Sequence, residues 1–254
     1  MASSGPMIVK LDRVIVAVDD VGAALADYAC LLGREASDAE RGLFGLRNAT
    51  LQLTSVEDLA EEGLDVSKPG VAALVFEEDG REKDLWLPPE RTRRIPIALG
   101  RDDREPVDPA SACVKPGAQV DALDHVVVST GDLEAARRLY GEELGLRLAL
   151  DRSFEKRGIQ ILFFRTGGLT VEVVGALAGA TRSEGGSSAF VDDGDRFGGL
   201  AWEVPDVSAI RTRLLDEGFD VSEQRVGHKP GTAVCSVRDR THSVPTLLKG
   251  PELG

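Results

Sequence analysis

The side chains best suited to catalysis or metal binding in this sequence are its three histidines, His125, His228 and His242. An imidazole ring titrates near neutral pH, so histidine is the commonest residue in enzymatic proton transfer and a frequent metal ligand. One of them lies in the stretch LDHVVVSTGDLEAARRLYGEELG, which closely repeats the earlier stretch LDRVIVAVDDVGAALADYACLLG. The two copies share their scaffold but differ at one polar position, where Arg13 stands in place of His125. We therefore expect the later copy to carry any proton-transfer or metal chemistry.

The cysteines do not suggest a metal cluster or a disulfide framework. Cys30, Cys113 and Cys235 are odd in number and lack the close spacing of a metal site. Cys30 falls in a helical pattern and Cys235 in a strand pattern, so we expect both to be buried free thiols. The N-terminus shows no charged segment followed by an apolar one, as a secretory signal would. These features favour a cytoplasmic protein.

The composition narrows the classes of partner. The chain has 254 residues, of which 42% are hydrophobic and 29% charged, which is typical of globular proteins and is enough for one large or two ordinary domains. A formal net charge of -13 argues against a nucleic-acid-binding surface and against anionic membranes. No apolar run approaches the roughly 20 residues that span a bilayer. Whether the chain forms a homodimer stays open.

The C-terminal half shows the order strand, helix and three strands, twice over. DHVVVST predicts a strand, Asp132 predicts a helix N-cap and Gly145 predicts the end of that helix. The strands RLALDRSF, GIQILFFR and LTVEVVG follow. The same order recurs as GGLAWEV, a helix ending at Gly218, and the strands DVSEQRV, GTAVCSVR and SVPTLLKG. The sequence therefore predicts two βαβββ repeats in this half.

The N-terminal half is a less complete version of the same pattern. A strand, a helix ending at Gly33 and two strands make the first repeat, and VAALVFEE opens the second. Pro88 and Pro89 stand where the second repeat would need a helix interior. Residues 101–118, rich in proline and charge, predict a linker between domains at 8–100 and 119–251.

This order of elements resembles the vicinal oxygen chelate superfamily, which includes glyoxalase I, extradiol dioxygenases, methylmalonyl-CoA epimerase and the bleomycin and fosfomycin resistance proteins. The segments that carry the resemblance are LDHVVVSTGDLEAARRLYGEELGLRL, LTVEVVG and GGLAWEVPDV. They cover most of residues 119–251, and a fainter likeness covers 8–100. The resemblance implies an α+β fold in which repeated βαβββ units form cupped mixed β-sheets, as two glyoxalase-like domains in tandem.

In that superfamily the metal ligands, where present, come from the first and fourth strands of each repeat. The resemblance assigns His125 to the first-strand position and Glu172 to the fourth-strand position of the third repeat. In the fourth repeat these positions fall near Gly199 and Leu247, and in the first repeat on Arg13 and Gln52, which are not the usual ligands. At most two of the usual ligands remain.

Two interpretations of the His125–Glu172 pair stay open. With a third ligand from His228 or His242, the pair would hold one divalent ion, such as Zn, Ni, Mn or Fe. Without a metal, the pair would act as an acid–base couple or as polar ligand contacts.

Other side chains are candidate substrate contacts. Arg152 and Arg165 would bind a carboxylate or phosphate, and Phe163 (or Phe164) and Trp202 would form an apolar wall. His228, in the loop GHKPGT, is a further candidate contact.

The resemblance leaves several functions open. The first is a glyoxalase-like lyase or isomerase that moves a proton on a small organic molecule through His125 and Glu172, with or without a metal. The second is a metal-free binding protein of the bleomycin-resistance type. An extradiol-type dioxygenase is less well supported, because it needs two histidines and one glutamate around iron. The last alternative is a structural protein, in which the protein's own side chains fill the cavity of the cupped sheet and leave no pocket.

Overall fold

The structure, a computed structural model, describes residues 8–79, 81, 83–100, 117–177 and 194–252. The first repeat comprises β1 (Ile8–Val18), α1 (Val21–Leu32), β2 (Leu43–Gly45), β3 (Thr50–Ser55) and a short α2 (Val56–Glu61). The helix α1 begins where the Asp20 side chain accepts a hydrogen bond from the Ala23 amide, and it ends at Gly33 in the left-handed conformation. The end at Gly33 is the one that the sequence predicts.

Among its described residues the second repeat has no helix, as the two prolines predict. It comprises β4 (Gly70–Glu78), β5 (Leu85–Trp86) and β6 (Ile97–Gly100). Between β5 and β6 the chain makes turns, in which the amide of Arg91 bonds to the carbonyl of Pro88 and that of Arg94 to the carbonyl of Pro89. Proline cannot donate the backbone hydrogen bonds of a helix interior, so this segment stays a turn.

The third repeat has the full βαβββ order. It comprises β7 (Ala122–Ser129), α3 (Leu133–Arg137) with a π-helical continuation (Arg138–Glu143), β8 (Arg147–Phe154), β9 (Ile159–Thr166) and β10 (Leu169–Ala176). Asp132 caps α3 by accepting a hydrogen bond from the Ala135 amide at 2.9 Å. A 3₁₀ turn joins β8 to β9.

The fourth repeat follows the same order. It comprises β11 (Arg196–Glu203), α4 (Val207–Asp216), β12 (Arg225–Val226), β13 (Thr232–Val237) and β14 (Thr246–Pro251). The strand β12 is shorter than the segment DVSEQRV predicts, because Val221 makes only an isolated bridge to Val237.

The strands form two mixed sheets. The first has six strands in the order β2-β3-β1-β4-β6-β5, and the second has eight in the order β12-β13-β14-β11-β7-β10-β9-β8. In each repeat the first strand pairs with the last one in parallel, as β7 does with β10 and β1 with β3. With few helices and two mixed sheets built from this recurring unit, the fold is α+β, as the sequence predicts.

The described residues fall into two compact units. Compact unit one contains residues 8–12, 74–79, 81, 83–100, 125–177 and 194–198. Compact unit two contains residues 13–73, 117–124 and 199–252. Each compact unit therefore draws on both halves of the chain. The proposed domain boundaries at 8–100 and 119–251 stay a prediction, and residues 101–116 of the proposed linker lie outside the described residues.

In the first, third and fourth repeats the core lies on the sheet face that the helix of that repeat covers. In the third repeat Val126, Val128, Val171 and Val173 are fully buried on that face. In the fourth repeat Trp202 and Leu248 pair across β11 and β14 and are buried likewise. None of the helices among the described residues is long and apolar enough to cross a membrane.

Candidate functional site

The strands β7 and β10 hold His125 and Glu172 side by side. In their parallel pairing His125 lies opposite Thr170, and Glu172 lies opposite Val127, two residues further along β7. Because side chains alternate along a strand, His125 and Glu172 project from the same face of the sheet. This face lies opposite the fully buried one that carries Val126 and Val171. The alternation in the sequence predicts this arrangement, and the register confirms it.

The two side chains are close enough to interact. His125 Nδ1 lies 3.5 Å from Glu172 Oε1, and the side chains are 11% and 21% exposed. This distance is longer than a hydrogen bond of ordinary length, which is 2.7–3.2 Å for nitrogen and oxygen. Catalytic pairs are often this loose before a ligand binds and tighten when it does. At these exposures both groups are largely shielded from bulk water without being fully enclosed.

The neighbouring strands extend this face in two rows. The first row runs across β7, β10, β9 and β8 as His125, Thr170, Arg165 and Arg147. The second row runs across the same strands as Val127, Glu172, Phe163 and Leu150. We call this surface the His125 face. It combines the His125–Glu172 pair with a cationic end and an apolar strip, all within compact unit one.

The candidate contacts Arg152, Arg165 and Phe163 all lie on the His125 face. Phe163 is paired with Glu172 on the next strand, and Arg165 donates a hydrogen bond from Nη1 to Thr170 Oγ1 at 3.1 Å. Arg152 is paired with Ile161, and its guanidinium lies 4.9 Å from the centre of the Phe154 ring. Phe164, in contrast, is fully buried on the opposite face. The structure thus brings three of the predicted substrate contacts together with the pair.

Trp202 and His228 belong to compact unit two. The indole of Trp202 is 1% exposed and packs in the core, which is the role that an aromatic residue on a buried strand face usually has. His228 is exposed in the turn between β12 and β13. Both residues lie outside the compact unit that contains His125, so their roles as ligand contacts stay predictions.

His242 has a place of its own in compact unit two. Its Nε2 lies 3.1 Å from Asp27 Oδ2, and its ring stacks on Tyr28 with 6.0 Å between the ring centres. Arg240 donates from Nε to the other oxygen of the same carboxylate at 2.7 Å. These contacts tie the loop before β14 to α1, which accounts for this histidine without a metal.

The donor set at the His125 face fits a metal only in part. Two ligand atoms bound to one ion at about 2.0–2.2 Å would lie roughly 3–3.5 Å apart, as Nδ1 of His125 and Oε1 of Glu172 do. A catalytic zinc site, however, uses three protein ligands. Among the described residues, no group of three or more His, Cys, Asp or Glu side chains is arranged to hold an ion. The residues present therefore do not form a metal site of that kind.

In the fourth repeat the backbone excludes a histidine from the first of the two ligand positions, Gly199. Leu247 pairs with Ala201, two residues beyond Gly199, which repeats the offset between Glu172 and His125. Gly199 has a φ of +137°, and a Cβ there would lie 2.3 Å from the carbonyl oxygen of Pro245. Only glycine tolerates that conformation, so no histidine fits at this position.

Sequence reasoning missed Arg147 and Leu150 on the His125 face. Arg147 and Arg152 are five residues apart, so strict alternation would place them on opposite faces of β8. A β-bulge between Leu148 and Leu150 shifts the register and brings both arginines to the same face. The odd spacing of two arginines in one strand was the available signal, but the bulge itself leaves no clear mark in the sequence.

Compact unit one also contains a buried carboxylate that the sequence did not single out. The Asp195 side chain is fully buried, and Arg93 donates from Nε to its Oδ1 at 2.9 Å. Burial raises the pKa of Asp195 by more than the hydrogen bond from Thr130 and the charge of Arg93 lower it. In the sequence this residue ends the acidic turn VDDGD, which gives no hint of burial.

The described cysteines are free thiols. Cys235 is buried as predicted, whereas Cys30 is partly exposed because it lies at the end of α1, where its thiol donates to Glu217 Oε2 at 2.6 Å. Burial raises the pKa of both thiols to about 11, and the Glu217 carboxylate adds to this effect at Cys30. Neither is a reactive thiolate at neutral pH. Cys113 lies outside the described residues.

Comparison with known proteins agrees with this geometry. The family model of the Glyoxalase/Bleomycin resistance protein/Dioxygenase superfamily matches residues 124–235. A triple mutant of 4-hydroxymandelate synthase from Streptomyces coelicolor is similar over 97% of this chain and 94% of that chain, with a TM-score of 0.68 and 15% identity. A comparison with curated protein sequences gave no match.

Shorter structures match about half of the chain. Methylmalonyl-CoA epimerase from Mycobacterium tuberculosis covers 57% of this chain and 96% of its own, with a TM-score of 0.43 and 19% identity. A variant of the Streptomyces coelicolor epimerase in complex with 2-nitronate-propionyl-CoA covers 53% of this chain and 100% of its own, with a TM-score of 0.39 and 18% identity.

The likeness over nearly the whole chain establishes the fold, and the family match falls on the repeats that carry His125 and Glu172. The resemblance inferred from the sequence is therefore confirmed. The chain has the vicinal oxygen chelate fold in two tandem domains, and its residues 124–235, which include His125 and Glu172, match the model of the Glyoxalase/Bleomycin resistance protein/Dioxygenase superfamily.

Proposed function

We propose that this protein is a glyoxalase-like enzyme that moves a proton on a small organic molecule, in a lyase or isomerase reaction. The observation that supports the proposal is the His125–Glu172 pair, 3.5 Å apart on the His125 face and partly shielded from water. A histidine and a carboxylate so placed form the usual couple for general acid–base catalysis.

The geometry suggests separate roles for the two residues. The ring nitrogen of His125 that faces Glu172 is Nδ1, so the carboxylate favours the tautomer with its proton on that atom. The lone pair on Nε2 then acts as the base. It takes a proton from a carbon next to a carbonyl group, and the electron pair of the broken C–H bond moves to the carbonyl oxygen as an enolate. Glu172 stabilises the imidazolium until it returns the proton.

The surrounding residues suit an organic substrate. Phe163 and Leu150 lie in the same row as Glu172 and offer an apolar surface, while Arg165 and Arg152 offer positive charge. The proposed contacts of Trp202 and His228, and pairing of the chain as a homodimer, are further predictions. No step of the reaction described here needs a metal.

The rival functions differ in what they require. A drug-binding protein of the bleomycin-resistance type needs the His125 face but no proton transfer. An iron-dependent dioxygenase needs a third ligand beside His125 and Glu172, which the described residues do not supply. A likeness at 15% identity to 4-hydroxymandelate synthase concerns the fold and leaves the reaction open.

Hydrogen–deuterium exchange tests the proposal without knowledge of the product. The protein is incubated in D₂O with 2-oxo acids, hydroxyketones and acyl thioesters, and deuterium at the acidic C–H position is measured by NMR. We expect exchange with at least one class, lost by at least 100-fold in His125→Asn and Glu172→Gln. Glu223→Gln, an exposed substitution in compact unit two, serves as the control.

Two results would contradict the proposal. The first is stoichiometric ligand binding with no exchange of any compound, which would favour the binding protein. The second is exchange that persists in both variants. Metal content, measured by plasma mass spectrometry on wild type and both variants, separates the open alternatives for the cofactor. Near-stoichiometric Zn, Ni, Mn or Fe that is lost in both variants would establish a metal-assisted site.

A further inference from the structure

The cationic end of the His125 face has an unusual arrangement of charge. Arg147 and Arg165 are direct cross-strand partners on β8 and β9, so two like charges stand opposite each other. Such a pair is destabilising unless something of opposite charge lies between its members. Both side chains are exposed, although the protein as a whole carries a net charge of -13.

The acidic residues nearby do not neutralise this pair. Among the described residues, Arg147 and Arg165 have no carboxylate within ion-pair distance. Asp151, the nearest acid in sequence on β8, pairs with Leu162 and so projects from the other face. There it accepts hydrogen bonds from Arg137 at 2.8 Å and from Gln160 at 2.7 Å. The Asp151 carboxylate therefore does not neutralise the two arginines.

One of the two guanidinium groups is held in place. Thr170, which is largely buried and stands between His125 and Arg165 in the first row, accepts a hydrogen bond from Arg165 Nη1. A guanidinium has five N–H donors, and this contact uses one of them. The others remain to bind a carboxylate or phosphate in the two-point fashion that arginine favours.

We propose that Arg147 and Arg165 bind the anionic group of the substrate, a carboxylate or a phosphate ester. This inference rests on the proposed function, because it deepens the description of the same site. Adjacent strands lie about 4.8 Å apart, so the Cα atoms of His125 and Arg165 are separated by roughly 10 Å. The substrate is therefore an organic anion with an acidic C–H bond near His125 Nε2. Its charged group lies two to three strands away, and Phe163 and Leu150 contact the part between them.

Calorimetric binding of simple probes tests the arginine pair directly. The probes are phenyl phosphate, phenylacetate and the neutral phenylacetamide, at fixed ionic strength. We expect one or both anions to bind at least tenfold more tightly than the amide, and the preferred anion distinguishes a phosphate site from a carboxylate site. Arg147→Gln and Arg165→Gln should each raise the Kd of that anion about tenfold. Arg157→Gln, an exposed arginine in the turn after β8, should leave it unchanged.

Thermal unfolding gives a second readout that does not depend on activity. The preferred anion should raise the Tm of wild type and of Arg157→Gln, and should raise it less in the Arg147 and Arg165 variants. Without anion these two variants should be at least as stable as wild type, because the like-charge pair is gone; this also shows that they fold. Failure of both anions to bind wild type at millimolar concentration would overturn the proposal, as would equal affinity for the amide or unchanged affinity in both arginine variants.

The His125→Asn variant separates this inference from the proposed function. It should bind the anion as wild type does, since His125 is not part of the arginine pair. If the arginine pair binds anions but no anionic carbonyl compound exchanges its proton, the proposed function fails and the anion site stands. If exchange occurs but does not depend on Arg147 and Arg165, the proposed function is supported and the proposed anion site is wrong.

Discussion

Arg13 donates a hydrogen bond from Nη1 to Gln52 Oε1 at 3.0 Å, at the positions of the first repeat that match His125 and Glu172 in the third. The match follows from the register, since Gln52 pairs with the residue two places beyond Arg13. Glu172 stands in the same relation to His125. A guanidinium stays protonated at physiological pH, and an amide does not titrate. The first repeat therefore keeps the geometry of the pair and replaces its chemistry with a fixed contact.

This contact should contribute to stability. Arg13 is 8% exposed, so replacing Gln52 by Ala removes an acceptor from a buried charge and should lower the free energy of unfolding by about 1–2 kcal/mol. Urea unfolding followed by circular dichroism measures the change. Gln224→Ala, at an exposed position, should stay within about 0.5 kcal/mol of wild type. Equal effects of the two substitutions would show that the Arg13–Gln52 contact contributes nothing.

Gly199 should not tolerate a side chain. Gly199→Ala places a Cβ 2.3 Å from the Pro245 carbonyl oxygen at a φ of +137°, so we expect a loss of about 3 kcal/mol or more. Gly63 has a φ of +84° but no atom within 4 Å of such a Cβ, and Gly63→Ala should cost only about 1 kcal/mol. Chemical unfolding of both variants compares a clash plus strain with strain alone. A Gly199→Ala variant as stable as wild type would remove our explanation for the missing histidine.

The pH dependence of stability should reveal the buried Asp195. Because its pKa is raised on folding, its contribution is fully present below the pKa of the unfolded chain and is lost as pH rises through the folded pKa. We therefore expect wild type to lose stability relative to Asp195→Asn as pH rises above about 4. Urea unfolding at pH values from 4 to 8 measures the difference.

Asp151 provides a control of opposite sign. Burial raises the pKa of its carboxyl, but hydrogen bonds from Gln160 and Arg137 outweigh that effect and lower it. The carboxylate stabilises the fold above the pKa that Asp151 has in the unfolded chain, and this stabilisation is lost as pH falls. The stability of wild type relative to Asp151→Asn should therefore increase as pH rises through about 4. Parallel pH profiles for the two variants would contradict the assignment of Asp195 as the group with the raised pKa.

The described cysteines should resist alkylation in the folded protein. A pKa of about 11 leaves Cys30 and Cys235 with roughly 100-fold less thiolate at pH 8 than an ordinary thiol. Iodoacetamide labelling, followed by mass spectrometry of the two peptides, should be correspondingly slow and should rise about tenfold per pH unit. Unfolding in urea should restore ordinary reactivity. Rapid labelling of Cys30 in the folded state would show that Glu217 does not hold its proton.

The sequence predicts the fold well where local patterns and repeats act together. Asp20 and Asp132 mark helix starts, Gly33 and Gly145 mark helix ends, and alternation places His125 and Glu172 on one face. These features depend on residues close together in the chain. The strand register then shows how far apart the two side chains lie on that face, which alternation alone cannot show.

The rest depends on contacts between distant residues or on backbone changes without a sequence mark. The bulge in β8 that aligns Arg147 with Arg152 is one case, and the left-handed backbone at Gly199 is another. Asp195 is buried beside Arg93, which lies 102 residues earlier in the chain and donates a hydrogen bond to its carboxylate. A single sequence gives no direct information about such pairs.

The makeup of compact unit two has a consequence for synthesis on the ribosome. Its earliest segment, residues 13–73, packs with residues 199–252, which are translated more than 100 residues later. At roughly 5–20 residues per second, the early segment waits on the order of ten seconds for its partner, with the apolar strands of the first repeat uncovered. Compact unit one closes its own contacts earlier, since its segments lie nearer in the chain. Nascent chains should therefore need chaperone protection chiefly for the first repeat.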